Sequence, residues 1–276
     1  MTIITLTTDF GHKDYSVAMT KGALYNEVPE ITIVDITHQV SPYNHSQAAY
    51  ILKTAFKTFP KGSIHIIGVE SEYTPENIHL VMLFQGHYFI GADNGIFSLI
   101  TENLKPEKVI KIAINQEMVS SFPVVDVFAK VAGHLARKGN LNIIGNEYKN
   151  PKELIEVKPV VNPDGNQILG SVIYIDNYGN VVTNITEKYF YEIGKSRKFT
   201  VFARSVKFNA IYKSYSQFID FSIPYEKRKD DGKKLALFNS AGHLEFAIYR
   251  SNPETFGSAS SLFGLDYRDA VTIKFE

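Results

Sequence analysis

The run Thr2-Ile3-Ile4-Thr5-Leu6-Thr7-Thr8-Asp9-Phe10-Gly11 decides the fold class of the first half. Thr2 to Thr8 is β-branched and apolar enough for a strand, and Asp9-Phe10-Gly11 breaks it. The following stretch, Tyr15 to Glu27, carries Val17, Ala18, Lys21, Leu24 and Tyr25 at helical spacing. Strand, loop and helix thus follow one another within the first 27 residues. Ile31 to Ile36 predicts a second strand. Asn44 to Phe59 then places Ala48, Ala49, Leu52, Ala55, Phe56 and Phe59 on one helical stripe, and Asn44 with Gln47 three residues later has the capping-box pattern. Ser63 to Val69 and Ile78 to Phe84 read as further strands, and Tyr88 to Ala92 with Ile96 to Ile100 as a hairpin about Asp93-Asn94-Gly95. Asp126 opens a helix with Val127, Phe128, Val131, Ala132 and Leu135 on its apolar side. Strands alternating with helices predict an α/β N-terminal domain with a largely parallel sheet.

The second half has a different grammar. β-branched and aromatic runs at 169–176, 180–186, 199–203, 206–212, 235–238, 243–249 and 270–275 follow one another without an intervening helical stripe. They predict a smaller all-β, barrel-like C-terminal domain. Val161-Asn162-Pro163-Asp164-Gly165-Asn166 is rich in turn residues, so the expected organisation is domain 1–158, linker 159–168 and domain 169–276. Lys227 to Lys234 and Gly257-Ser258-Ala259-Ser260-Ser261 read as exposed loops.

Composition narrows the chemistry. In 276 residues, 29 Lys and Arg balance 29 Asp and Glu, which disfavours a phosphate-backbone footprint and therefore a nucleic-acid partner. There is no cysteine, so disulfides, thiolate metal sites and a cysteine nucleophile are excluded, and a cytoplasmic location is expected. Apolar runs such as Ile78 to Phe84 are far shorter than the ~20 residues of a spanning helix, so no membrane association is expected. Gly194-Lys195-Ser196 lacks the first glycine of a phosphate loop, Tyr189 standing there. No Gly-x-Gly-x-x-Gly or Gly-x-Ser-x-Gly occurs, and the eight histidines are scattered without metal-ligand spacing, so no metal is expected.

Three segments carry recognition chemistry. Asp9, at the carboxyl end of the first strand, lies where open α/β sheets bind ligands; its two oxygens match the paired hydroxyls of a ribose, or it caps the following helix. Ser16, one turn into that helix, either meets a ligand or faces solvent. In the second half, Asp176-Asn177-Tyr178-Gly179-Asn180 with Thr183-Asn184 sets carboxamides, a carboxylate and an aromatic ring in a tight turn. An amide can read an adenine edge while a ring stacks on its face; an ordinary hairpin explains the same residues. Asn239-Ser240-Ala241-Gly242 is a similar turn, able to offer a hydroxyl and backbone N–H groups to a carboxylate.

In their order along the chain, several motifs resemble one family. These are Thr7-Thr8-Asp9-Phe10-Gly11, Met19-Thr20-Lys21-Gly22, Ile33-Val34-Asp35-Ile36-Thr37-His38 with Ser41-Pro42-Tyr43, Ala92-Asp93-Asn94-Gly95, Ile175-Asp176 with Tyr178-Gly179-Asn180 and Thr183-Asn184, and Asn239-Ser240-Ala241-Gly242 with Leu244-Glu245. Together they are similar to the S-adenosylmethionine hydroxide adenosyltransferases, relatives of the fluorinase and chlorinase. The resemblance implies a homotrimer with a ligand site where one subunit's first domain meets its neighbour's second, and S-adenosylmethionine as substrate or ligand with no separate cofactor. It implies that Asp9 holds the ribose hydroxyls with Ser16 and Tyr43 nearby. Tyr178 and Asn180 would recognise adenine, and Asp176 with Ser240 would hold the methionine amine and carboxylate. The implied reaction is hydrolysis to adenosine and methionine.

The sequence departs from this family in the groups that activate water. Where the family has Asp-Pro-Gly-Val-Gly-Thr and then an Arg pair, this chain reads Val69-Glu70-Ser71-Glu72-Tyr73-Thr74-Pro75-Glu76-Asn77, without arginine. Where the family has His-Gly-Arg-Asp, it reads Pro123-Val124-Val125-Asp126. Glu70 stands in for the family's Asp as general base if the loop has gained a residue; otherwise it is a solvated loop acid. His65 or a neighbouring subunit are the candidates to replace the missing groups. The alternatives to a hydrolase are a binding protein that has lost turnover and a structural trimer without a nucleoside.

Overall fold

The computed structural model describes residues 2–102, 104–113 and 120–276. The chain forms two compact units, Met1–Glu156 and Val157–Glu276.

In the first unit, β1 (Thr2–Thr8), α1 (Ser16–Glu27), β2 (Ile31–Thr37), α2 (His45–Ala55), β3 (Ile64–Gly68), β4 (His79–Phe84) and β5 (His87–Ala92) are followed by α3 (Ile96–Thr101), β6 (Lys108–Ile112), α4 (Ala129–Ala136), α5 (Leu141–Ile144) and β7 (Gly145–Glu147). The sheet order is β2-β1-β3-β5-β4-β6-β7. Strands β1, β2, β3, β5 and β6 point one way and β4 and β7 the other, so the sheet is mostly parallel. Alternate side chains of each strand serve opposite faces. Ile4, Leu6, Ile64 and Ile66 pack with Leu24, Phe128, Val131 and Ala132 under α1 and α4, while Ile67, Leu80, Met82 and Phe89 pack with Leu52, Phe56, Phe97 and Ile100 under α2 and α3. Each such fully buried side chain contributes about 1.5–3 kcal/mol by its removal from water.

Because α1 and α2 cover opposite faces while their strands lie on either side of β1, the winding reverses between β1 and β3. A crevice forms outside the carboxyl ends of strands at such a reversal.

The hairpin of this unit is β4–β5, turning at Gln85 and Gly86, both at positive φ. The expected hairpin about Asp93-Asn94-Gly95 is instead the start of α3: Gly95 is left-handed at φ 91°, and Asn94 Oδ1 accepts from Ile96 N at 3.2 Å. Ile96, Phe97, Leu99 and Ile100 are all buried, so this helix is apolar around its circumference and its sequence mimics a strand. The helical region expected from Asp126 begins with a π turn over Val124–Phe128 and continues as α4.

The second unit comprises β8 (Val160–Val161), β9 (Gln167–Ile175), β10 (Val181–Thr186), α6 (Glu187–Gly194), β11 (Phe199–Ala203), β12 (Val206–Phe208), β13 (Lys234–Phe238), β14 (His243–Ile248), α7 (Ala259–Phe263) and β15 (Ala270–Phe275). All its ladders are antiparallel, in the order β12-β11-β15-β9-β10-β14-β13 with β8 on β9, and the sheet is nearly barrel-shaped. Ile168, Val201, Phe246, Ile273 and Phe275 fill it. Two short helices depart from the all-β expectation. Thr186 caps α6 by accepting from Tyr189 N at 3.2 Å. Gly257 to Ser261 is no mere exposed loop, because Ser258 is buried and forms a reciprocal capping box with Ser261 at the start of α7. The run at 206–212 keeps strand geometry only to Phe208.

Among the described residues no helix is long and apolar enough to cross a membrane, and no three His, Asp or Glu side chains converge as a metal site.

Candidate active site

In the first unit the carboxyl ends of β1 and β3 and the start of α2 gather an acidic cluster. Asp9, one residue beyond β1, accepts from the backbone N–H of Tyr43 at 3.1 Å. The alternative of a helix cap is not realised, since Ser16 N donates to Asp14 at 2.9 Å and α1 has no side-chain cap. Burial raises the Asp9 carboxyl above its ordinary range, with the Glu70 charge adding to the shift and the Tyr43 N–H and His45 opposing it. Tyr43 sits at φ 60°, which directs its amide at Asp9 and leaves its ring in solvent. The contact joins two loops 34 residues apart in sequence.

Glu70 follows β3 with φ 45°, a strained backbone held from two sides. Asn77 Nδ2 donates to the carbonyl oxygens of Glu70 and Glu72, both at 3.0 Å, and Asn94 Nδ2 donates to that of Val69 at 3.0 Å. The Glu70 carboxylate then lies 2.7 Å from Nε2 of His45, the first residue of α2. The expected cap fixes that helix start: Asn44 Oδ1 accepts from Gln47 N at 3.0 Å, and Gln47 Oε1 accepts from Ser41 N at 2.7 Å.

Sequence reasoning missed His45. Its signal was its position immediately after a cap residue, beside the motif that contains Tyr43. His65 does not serve the cluster: it is buried in the sheet, bonded to Thr5 Oγ1 at 2.7 Å and to His87 at 3.1 Å, and burial holds its imidazole down to about 3. Pro123 precedes the π turn, whose Val124 packs at Gly68, the end of β3. Asp126 accepts from Ser120 Oγ at 2.6 Å. Phe10 and Phe122, edge to face at 5.3 Å, add apolar surface beside Asp9. Beneath the cluster, His38 Nδ1 meets Thr8 Oγ1 at 2.8 Å, its Nε2 lies 3.2 Å from Asp35, and Lys21 holds the other Asp35 oxygen at 2.6 Å. Asp9, Tyr43 and Glu70 are thus brought together; Ser16, at the start of α1, pairs with Asp14.

In the second unit the turn between β9 and β10 is organised by Asp176. Its Oδ1 accepts from Tyr178 N at 2.9 Å and from Asn180 N at 2.8 Å, and its Oδ2 accepts from the Asn180 side chain at 2.9 Å. Asn180 is buried and Tyr178 presents its ring to solvent. Across β10, Glu245 of β14 is buried, accepts from Tyr215 Oη at 2.5 Å and from Asn239 Nδ2 at 3.1 Å, and is raised by burial, with Asp176 adding to the shift. Ser240 occupies the exposed tip of the β13–β14 turn, whose conformation Asn239 Oδ1 fixes by accepting from Ala241 N at 3.0 Å and His243 N at 3.1 Å. Asp176, Tyr178 and Asn180 share one rigid turn and Ser240 lies on another.

Comparison with known proteins agrees with this geometry. The profile of the SAM hydroxide adenosyltransferase N-terminal domain matches residues 4–145, and that of the C-terminal domain of the same family matches residues 170–272. An (R)-S-adenosyl-L-methionine hydrolase of Methanocaldococcus jannaschii is 31% identical over 98% of this chain and 95% of its own length. One of the same name from Thermus thermophilus is 26% identical over 93% of each chain. The crystal structure of an uncharacterized conserved protein from Thermotoga maritima superposes with a TM-score of 0.82 at 25% identity, covering 99% of this chain and 100% of the other. From the reversal crevice, the two turns and these matches along the chain, the conclusion is that this protein belongs to the SAM hydroxide adenosyltransferase family.

Proposed function

We propose that this protein hydrolyses S-adenosylmethionine to adenosine and methionine, as a cytoplasmic homotrimer with the nucleoside at a subunit interface. The single observation that carries the reading is the pairing of Asp9 with Glu70 at the carboxyl ends of β1 and β3, one carboxylate to hold a ribose and one to receive a proton. The names of the relatives support the same reaction.

A sulfonium leaves readily, so the reaction needs a positioned and partly desolvated water more than an acid catalyst. Asp9 is suited to the ribose hydroxyls, with Tyr43 holding the carboxylate and Ser16 at the edge of the site. Tyr178 and Asn180 would take the adenine, and Asp176 and Ser240 the methionine end. Glu70 is the general base. No metal or cofactor enters the proposal.

The loop 69–77 without arginine and Pro123 in place of a histidine favour one second reading, a protein that binds S-adenosylmethionine or adenosine without turnover. Calorimetric titration with S-adenosylmethionine, followed by chromatography, separates the readings. Adenosine and methionine in equal amounts support hydrolysis, and binding without product supports the second reading. If the wild-type chain binds no adenosyl compound, or Asp9→Ala binds it equally well, the assignment of the site is wrong.

A further inference from the structure

We infer that His45 is the positioning residue for the Glu70 base, its Nε2 standing in ion-pair contact with Glu70 Oε2 so that Oε1 faces the attacking water. The inference rests on the hydrolase reading and deepens it, because it identifies what stands in this chain for the absent arginine and histidine.

Three observations carry it. The contact is 2.7 Å, an ion-pair separation between an imidazole nitrogen and a carboxylate oxygen. Both ends of the contact are anchored independently: His45 by the Asn44 cap at the start of α2, and Glu70 by the Asn77 and Asn94 tethers. With both backbones fixed, only the two side chains have to be ordered to keep the contact. Finally, the position expected to carry the family's histidine is Pro123, whose turn packs apolar Val124 against the end of β3, so α2 is the element that supplies an imidazole to this crevice.

In the reaction, the water oxygen forms the bond to C5′ as the C5′–S bond breaks. The departing electron pair returns to sulfur, leaving the neutral thioether of methionine. The water proton passes to Glu70 Oε1 and from there to solvent. No further reactant is required.

The test compares the full-length wild type with Glu70→Gln, His45→Ala and His45→Gln, following kcat and KM by adenosine release. Removal of the base should lower kcat about 100-fold or more, and His45→Ala about tenfold, each with KM within about twofold. His45→Gln keeps a donor at the reach of Nε2 and should restore most of kcat.

An active wild type whose His45→Ala variant loses thermal stability but keeps kcat overturns the inference alone. So does a folded His45→Gln variant as slow as Glu70→Gln, which decides the matter even if His45→Ala does not fold. A wild type that binds S-adenosylmethionine but never releases adenosine overturns the inference together with the hydrolase reading.

Discussion

Replacing Asn77 by alanine tests whether the 70–77 loop is a working part of the site or a passive connection. The side chain is nearly buried, and its amide nitrogen spans two carbonyls, those of Glu70 and Glu72. Two neutral hydrogen bonds contribute about 1 kcal/mol each, and the exposed Glu70 and Glu72 leave their carbonyls open to water once the amide is gone. Against this, Asn77 Oδ1 is itself buried with no hydrogen-bond partner among the described residues, so its removal relieves the cost of that burial. The balance is a loss of about 1 kcal/mol, which for a unit of roughly 150 residues lowers its melting temperature by about 2–4 °C.

The backbone pairing of Thr74 with Asn77 survives the substitution, so the loop stays closed while Glu70 loses its tether. A left-handed backbone at a non-glycine residue costs about 1–2 kcal/mol, and once untethered it relaxes and turns the carboxylate away from His45. Turnover of S-adenosylmethionine should then fall about tenfold with KM little changed. Differential scanning calorimetry and steady-state kinetics on the same preparation read both numbers. A variant that melts within about 1 °C of the wild type and turns over normally refutes the tether and with it the strain assigned to Glu70.

Two further outcomes follow from other parts of the molecule. His38, His65, His79 and His87 all have pKa values lowered by burial, His65 to about 3, so the unfolded chain binds more protons than the native one below about pH 6.5. Stability is full above that pH and falls as pH drops toward 3; the His65 contribution alone amounts to about 2 kcal/mol between roughly pH 7.5 and pH 5, and equal guanidinium midpoints at the two pH values would show that these imidazoles are not held neutral. In the second unit, Gly179 has φ 70° and a Cβ there would overlap Ser258, so Gly179→Ala should displace the α7 cap and loosen the Asp176 turn. A loss of about 2 kcal/mol and at least tenfold weaker adenosine binding are expected, read by thermal melting and calorimetry, and an unchanged affinity would separate the turn from recognition.

The α/β class and the β-rich second half were legible in the sequence because both rest on periodicity, which survives any loop. Thr2 to Thr8 and the Asn44 cap formed as their local chemistry dictates. Asn94-Gly95 misled because a left-handed glycine can begin a helix as readily as turn a hairpin, and the apolar circumference of α3 hides its period. Ser258 looked like loop polarity because a capping box built from two serines lacks the usual acidic partner. Asp9 was visible from its place after β1, and Glu70 only by comparison with the motif of the family the chain resembles. Their partners were not, because Tyr43, His45, Asn77 and Asn94 reach them through loop geometry that no pattern of hydrophobicity encodes.

The nearness of two carboxylates at one sheet edge has a kinetic side under the hydrolase reading. Burial is the main cause of the Asp9 shift and the Glu70 charge adds to it; two carboxylates at this edge present negative potential to solution and draw in a positively charged sulfonium faster than a neutral nucleoside, an advantage that added salt should erode. Cleavage extinguishes the cation. The edge that recruits the reactant therefore loses its grip on what it has made, and expulsion of the thioether and the nucleoside is favoured by the charges that brought their parent in.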